Sequence, residues 1–131
     1  MVCLDTCFII DLLKGNEKIK LLKQEFDKTS ESITVSSPSL IELMKGLRIG
    51  NPSENEEEKI NNLISSLSIL NLDKKSAMLS GEIEAYLIKK GQLIDLEDLM
   101  IASICICNHE KLITRNEKHF KRIKNLEIET Y

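Results

Sequence analysis

Five short apolar runs, spaced apart by helix-length segments, restrict most strongly what this chain can fold into. "VCL" (2–4), "SITV" (32–35), "SILNL" (68–72), "KLIT" (111–114) and "LEIET" (126–130) have the length of strands, and the first leaves no polar position with which to alternate. Such runs suit strands covered on both faces. The intervening segments carry helical spacing and helix starts. Thr6 to Leu13 is apolar around most of its circumference. Asn16 caps a helix from Glu17 to about Lys28, with Ile19, Leu22 and Phe26 on one stripe. Ser37 as cap and Pro38 at the first helical position open the next, which carries Leu40, Leu43, Met44 and Leu47 on one face. Ser53 with Glu56 predicts a capping box for a helix running to about Leu67. Asp73 caps a long helix closed by Gly91, another covers about 97–108, and a short piece covers 116–123. Strands separated by helices imply parallel pairing through right-handed crossovers, hence an α/β sandwich.

A chain of 131 residues is long enough for a real core in one domain, residues 1–131. Its four cysteines do not read as a disulfide framework, because the N-terminus is itself a strand–helix unit with no basic leader or cleavage site. Nor do they read as a zinc site. Cys3 and Cys7 belong to different elements, and Cys105 and Cys107 are two apart on a helix, where they do not share a face. Buried free thiols are expected. No apolar run is long enough to span a membrane, and the chain is expected to be cytoplasmic.

The formal net charge of −3 is unlike that of a general nucleic-acid binder. Its distribution says more. "ENEEE" (54–58) is an acidic helix start, whereas 111–124 sets Lys111, Arg115, Lys118, Lys121, Arg122 and Lys124 against Glu117 alone. That second segment suits contact with phosphates as well as plain solvation. A P-loop and a G-x-G-x-x-G fingerprint are both absent.

The acids fall where a parallel sheet binds ligands, beyond the carboxyl ends of its strands. Asp5 follows the first strand directly, and either caps the next helix or meets a cation. Asn116 follows the fourth strand, Glu42 lies in the helix after the second, and Asp95, Glu97 and Asp98 start the helix that feeds the fourth. Carboxylates gathered at one edge repel unless protonated or bridged by a hard cation such as Mg²⁺ or Mn²⁺. Each has a plainer reading too. Glu42 points away from its helix's apolar stripe, which simple exposure explains, and Asp95 with Asp98 suits an N-cap and the helix dipole.

Four stretches, "LDTCFIIDLLKG" (4–15), "VSSPSLIELMKGL" (35–47), "GQLIDLEDLMIAS" (91–103) and "LITRNEKHFKRI" (112–123), together resemble PIN-domain ribonucleases. Within that family the resemblance is to the small VapC-like toxins of toxin–antitoxin pairs. It implies a three-layer α/β/α sandwich around a central, mainly parallel five-stranded sheet. It also implies a ribonuclease that hydrolyses phosphodiester bonds with Mg²⁺ or Mn²⁺. The motif-matched metal-binding and catalytic acids are Asp5, Glu42 and Asp98. Thr6 matches the hydroxyl residue after the first acid, and Thr114 and Asn116 match a T-x-D/N segment where many members carry a fourth acid. Asn116 departs from that acid, keeping an oxygen while losing a charge. It stays a catalytic candidate, and Asp95 is a supporting polar residue. Arg115, Lys118 and His119 are candidates for RNA contact, although both histidines, His109 and His119, also read as ordinary surface residues. The implied partners are an RNA substrate, an antitoxin protein and a second copy of the chain, with no membrane. A catalytically silent PIN module that binds RNA or assembles with a partner is the alternative. A haloacid-dehalogenase-like phosphatase is set aside because its second Asp would stand where this chain has Cys7.

Overall fold

In the computed structural model, which describes residues 1–29 and 32–131, five strands pair in parallel throughout. They are β1 (Val2–Leu4), β2 (Ile33–Ser36), β3 (Ser68–Leu70), β4 (Lys111–Ile113) and β5 (Ile128–Glu129), in the order β3-β2-β1-β4-β5. Leu4 lies opposite both Val35 and Ile113, so the carboxyl ends of the three central strands are level. The helices are α1 (Thr6–Leu13), α2 (Glu17–Lys28), α3 (Ser37–Ile49), α4 (Glu54–Ser66), α5 (Lys74–Lys89), α6 (Leu96–Asn108) and α7 (Glu117–Phe120).

The pleat divides the core in two. Val2, Leu4 and Ile113 face one side, where they meet Phe8 and Ile9 of α1, Ile19 of α2 and Leu43 of α3. Cys3 and Leu112 face the other, against Ile101, Ala102 and Cys105 of α6 and Phe120 of α7. Both faces of the central strand are therefore covered, which is why its sequence lacks alternation. The expected α/β/α sandwich is the observed fold. The four cysteines are free, and three of them are buried. Among the described residues no helix is long and apolar enough to cross a membrane.

Helix starts follow local hydrogen bonding, with two corrections. Asn16 accepts from the Ile19 N–H at 3.3 Å. Ser36, not Ser37, caps α3, its Oγ accepting from the Ser39 N–H at 3.4 Å. The strand runs straight into the helix, so the cap is the last strand residue, and Ser37 Oγ instead accepts from the Leu72 N–H at 3.2 Å. Ser53 accepts from the Glu56 N–H at 3.2 Å, but the Glu56 carboxylate makes no return bond to the Ser53 N–H among the described residues, so the expected capping box is only half formed. A reciprocal box forms at α5, where Asp73 accepts from the Ser76 N–H and Ser76 Oγ from the Asp73 N–H, each at 2.9 Å. Gly91 follows α5 at φ +71°, the left-handed conformation that ends a helix and that favours glycine.

Leu4 is fully buried at the centre of the sheet, one residue before Asp5. Leu4→Ala should destabilise the protein by about 2–5 kcal/mol. A lower urea midpoint with an unchanged slope would register this, and a stability loss under about 0.5 kcal/mol would contradict the packing described.

Candidate active site

The sheet reverses its winding between β1 and β4: the chain steps outward through β2 and β3 on one side, then crosses to β4 and β5 on the other. Such a reversal opens a crevice beyond the carboxyl ends of the two strands. Asp5 occupies it. Its N–H donates to the Ile113 carbonyl at 3.0 Å, and its own carbonyl accepts from the Phe8 and Ile9 N–H groups, so the backbone is held by β4 and α1 together. The residue is 3% exposed. Oδ1 accepts from the Thr6 N–H at 2.8 Å, while Oδ2 accepts from Thr114 Oγ1 at 2.6 Å and from the Cys7 thiol at 3.3 Å. Asp5 is thus the N-cap residue of α1, but it bonds the first helical N–H rather than the second or third that a strong cap engages. Capping alone does not explain so buried a carboxylate. Beside it, Thr6 Oγ1 is buried with no hydrogen-bond partner among the described residues.

Two more acids share this field. Glu42, on α3, is half-buried rather than freely exposed. Burial, then the charges of Asp5, Asp98 and Glu97, push its carboxyl up to about 7, with Lys45 opposing. Asp98, in the first turn of α6, is also raised, chiefly by burial and in part by Asp5 and Asp95, against a lowering hydrogen bond from His119. That contact, His119 Nδ1 to Asp98 Oδ2, measures 3.1 Å. Asp95 is the N-cap residue of α6 but makes no side-chain cap bond, and it is exposed.

Among the described residues no three or more His, Cys, Asp or Glu side chains are arranged to hold a metal ion. Asp5, Glu42 and Asp98 interact through space without closing on one point. The donor set still fits a hard divalent cation: it is all oxygen, it is crowded enough that Glu42 and Asp98 resist ionisation, and it borders an orphaned buried hydroxyl.

The remaining candidates separate. Thr114 is fully buried and links two groups, donating to Asp5 and accepting from the Asn116 N–H at 3.0 Å. Asn116 reaches this network through its backbone, and its exposed side chain makes no cap bond to α7. Arg115 is committed to Asp11, with contacts of 3.0 and 2.9 Å. Lys118 is exposed, and His119 is half-exposed on Asp98.

Three residues near the acids escaped the sequence reading. Cys7 bonds Asp5, and Tyr131 donates to Cys7 Sγ at 3.4 Å or to Asp11 Oδ2 at 3.1 Å. Burial pushes the Tyr131 phenol and the Cys7 thiol up, the latter also through Asp5, so both stay protonated and able to donate. Cys7 and Asp11 are four apart on α1, a spacing that places them on one face. Tyr131 carries no comparable local signal. Next to Glu42 an apolar groove of about 580 Å³ runs between α1, α3 and α4, lined by Ile10, Leu13, Leu43, Leu47 and Ile60.

Residues 2–126 match the family model described as PIN domain. The chain is 35% identical over 102 residues to ribonuclease VapC2 of Rickettsia felis, covering 78% of this chain and 76% of that protein. It is 29% identical over 128 residues to the tRNA(fMet)-specific endonuclease VapC of Salmonella typhimurium, covering 98% and 96%. Its structure superposes on a chain of the Rickettsia felis VapBC2 complex bound to a promoter DNA fragment, with a TM-score of 0.91, 31% identity and coverage of 100% and 99%.

The raised Glu42 carboxyl has a consequence for stability. The folded chain keeps a proton that the unfolded chain releases at about 4.5, so the metal-free protein should lose stability as pH rises from 4.5 to about 7. Glu42→Gln should flatten that decline and raise the melting temperature at neutral pH. Melting curves of the two proteins running parallel across this range would refute the coupling.

Proposed function

This chain belongs to the PIN-domain family, and on that premise we propose that it is a divalent-metal-dependent ribonuclease, the toxin of a VapBC-type toxin–antitoxin pair acting on cytoplasmic RNA. The observation that carries this reading is the mutual field of Asp5, Glu42 and Asp98 at the winding reversal. The names of the relatives favour an enzyme over a silent binding module. Asp5, Glu42 and Asp98 would hold Mg²⁺ or Mn²⁺, with Thr6 and Asn116 as neutral oxygens at the margin. A bound cation supplies an activated water and neutralises charge on the phosphate.

The chain's own residues supply orientation. Thr114 and Cys7 fix the Asp5 carboxylate from one side and the Thr6 N–H from the other. His119 turns Asp98, an outer-shell role of the kind that orients metal ligands. The apolar groove beside Glu42 would seat a segment of the antitoxin, joining its docking to the site. Leu21, Ile41 and Ile49 remain exposed at 61%, 59% and 77%, apolar surface suited to pairing with a second copy.

Purified protein should cleave RNA with Mg²⁺ or Mn²⁺ and stop with a chelator. Asp5→Asn, Glu42→Gln and Asp98→Asn should each lower cleavage by more than about 100-fold, and His119→Ala by about 10- to 100-fold. Undiminished cleavage by Asp5→Asn sinks the assignment.

Asn116→Asp adds an anionic oxygen near the cation, so calorimetric titration should show tighter Mn²⁺ binding. An unchanged affinity makes Asn116 a turn residue only. Sedimentation at micromolar concentration should show a dimer, and a monomer throughout would remove the pairing.

A further inference from the structure

The basic residues of 111–124 are sorted by the fold. Lys111 is held by Glu127 at 3.6 Å and Glu129 at 3.3 Å, and Arg115 by Asp11, so neither is available to a ligand without breaking a pair. Lys118 and Lys121 are exposed with no partner among the described residues. Arg122 donates to the Leu93 carbonyl at 2.8 Å, which fixes its guanidinium between two hollows. One, of about 370 Å³, is lined by Leu93, Ile94, Asp95 and His119, and the other, of about 210 Å³, by Tyr86 and Lys124; Arg122 lines both.

The first hollow reaches the acids, because its His119 bonds Asp98. The second ends at a lysine pair. Lys90 Nζ lies 4.6 Å and Lys124 Nζ 5.2 Å from the centre of the Tyr86 ring, and the two lysines together lower the Tyr86 phenol. Two ammonium groups and a phenol thus converge from the end of α5, where Lys90 follows the helix, and from the segment after α7. Asp95 lines the first hollow and Glu82 the second, where Arg122 and Lys124, with Lys90 over Tyr86, leave a cationic excess in a chain whose net charge is −3.

We propose that this seam, from His119 across Arg122 to Tyr86, Lys90 and Lys124, carries the RNA strand away from the cleavage site. A base enters the first hollow against Leu93, Ile94 and the His119 imidazole, and a phosphate one or more nucleotides along meets the Lys90–Lys124 pair and the Tyr86 hydroxyl. Aromatic and cationic groups along a groove are the features that bind single strands without sequence preference. The inference rests on the ribonuclease reading for its ligand, but it concerns binding, which is measured separately from cleavage.

The test compares two double variants by fluorescence anisotropy, using a single-stranded RNA of about a dozen nucleotides, within the usual range of single-strand sites. Lys90→Ala/Lys124→Ala should weaken binding about tenfold and reduce the salt slope by about 0.7, the value for the one phosphate no longer neutralised. In cleavage assays the loss should fall on KM. Lys18→Ala/Lys28→Ala removes the same charge from α2, which packs on the opposite face of the sheet, and should leave affinity in place. Unchanged affinity and slope in the first variant, or equal weakening in both, overturns the seam. Seam-dependent binding without metal-dependent cleavage supports the seam and fails the ribonuclease reading instead.

Discussion

A carboxylate buried at the end of a central strand must be satisfied by donors around it, because a desolvated and unpaired charge costs more than a small domain can absorb. At Asp5 those donors come from three separate places: the Thr6 N–H at the start of α1, the Cys7 thiol one residue on, and the Thr114 hydroxyl after β4. The last joins residues 109 apart in sequence. It exists only because β1 and β4 pair in parallel with Leu4 opposite Ile113, which brings the two strand ends level. The central register and the orientation of Asp5 are one arrangement.

Around this fixed acid the others are placed by helices, and the fold brings like charges together without neutralising them. Glu42 arrives on α3 from the β2 side and Asp98 on α6 from the opposite face. Ordinary folding would disperse such groups or pair each with a cation. Here Lys45 only partly offsets Glu42, and His119 only partly offsets Asp98. The residual repulsion is a standing cost of the metal-free state, and burial makes it larger than the same charges would incur in water. Crowded acids with raised proton affinity at a topological switch point are a functional signature, since nothing about stability favours them.

The same sorting applies to the positive charges. The Arg115–Asp11 and Lys111–Glu129 contacts show that proximity in sequence to the acids does not make a basic residue available to substrate. Lys124, beyond α7, has no acidic partner among the described residues and lies over Tyr86 of α5 together with Lys90, which follows that helix. A chain with an acidic total can therefore present a cationic surface locally, and the overall charge excludes very little.

Much of this was legible in the sequence. The strand runs, the helix between each pair, and caps such as Asn16, Ser53 and Asp73 are local properties, set by side chains within about four residues of one another. The four motif stretches that resemble PIN-domain proteins named Asp5, Glu42 and Asp98, and they belong to the family that residues 2–126 match. Local reading erred by one residue at Ser36, where strand and helix abut and either serine suits a cap. Only the tertiary structure decided what the named residues touch. That His119 turns Asp98, that Arg115 is consumed by Asp11, that Tyr131 reaches Cys7, and that Lys124 meets Lys90 across Tyr86 all depend on contacts between elements distant in the chain. Sequence periodicity fixes which face of an element a residue occupies; which other face it meets is set by strand order and crossover, and no local pattern carries that information.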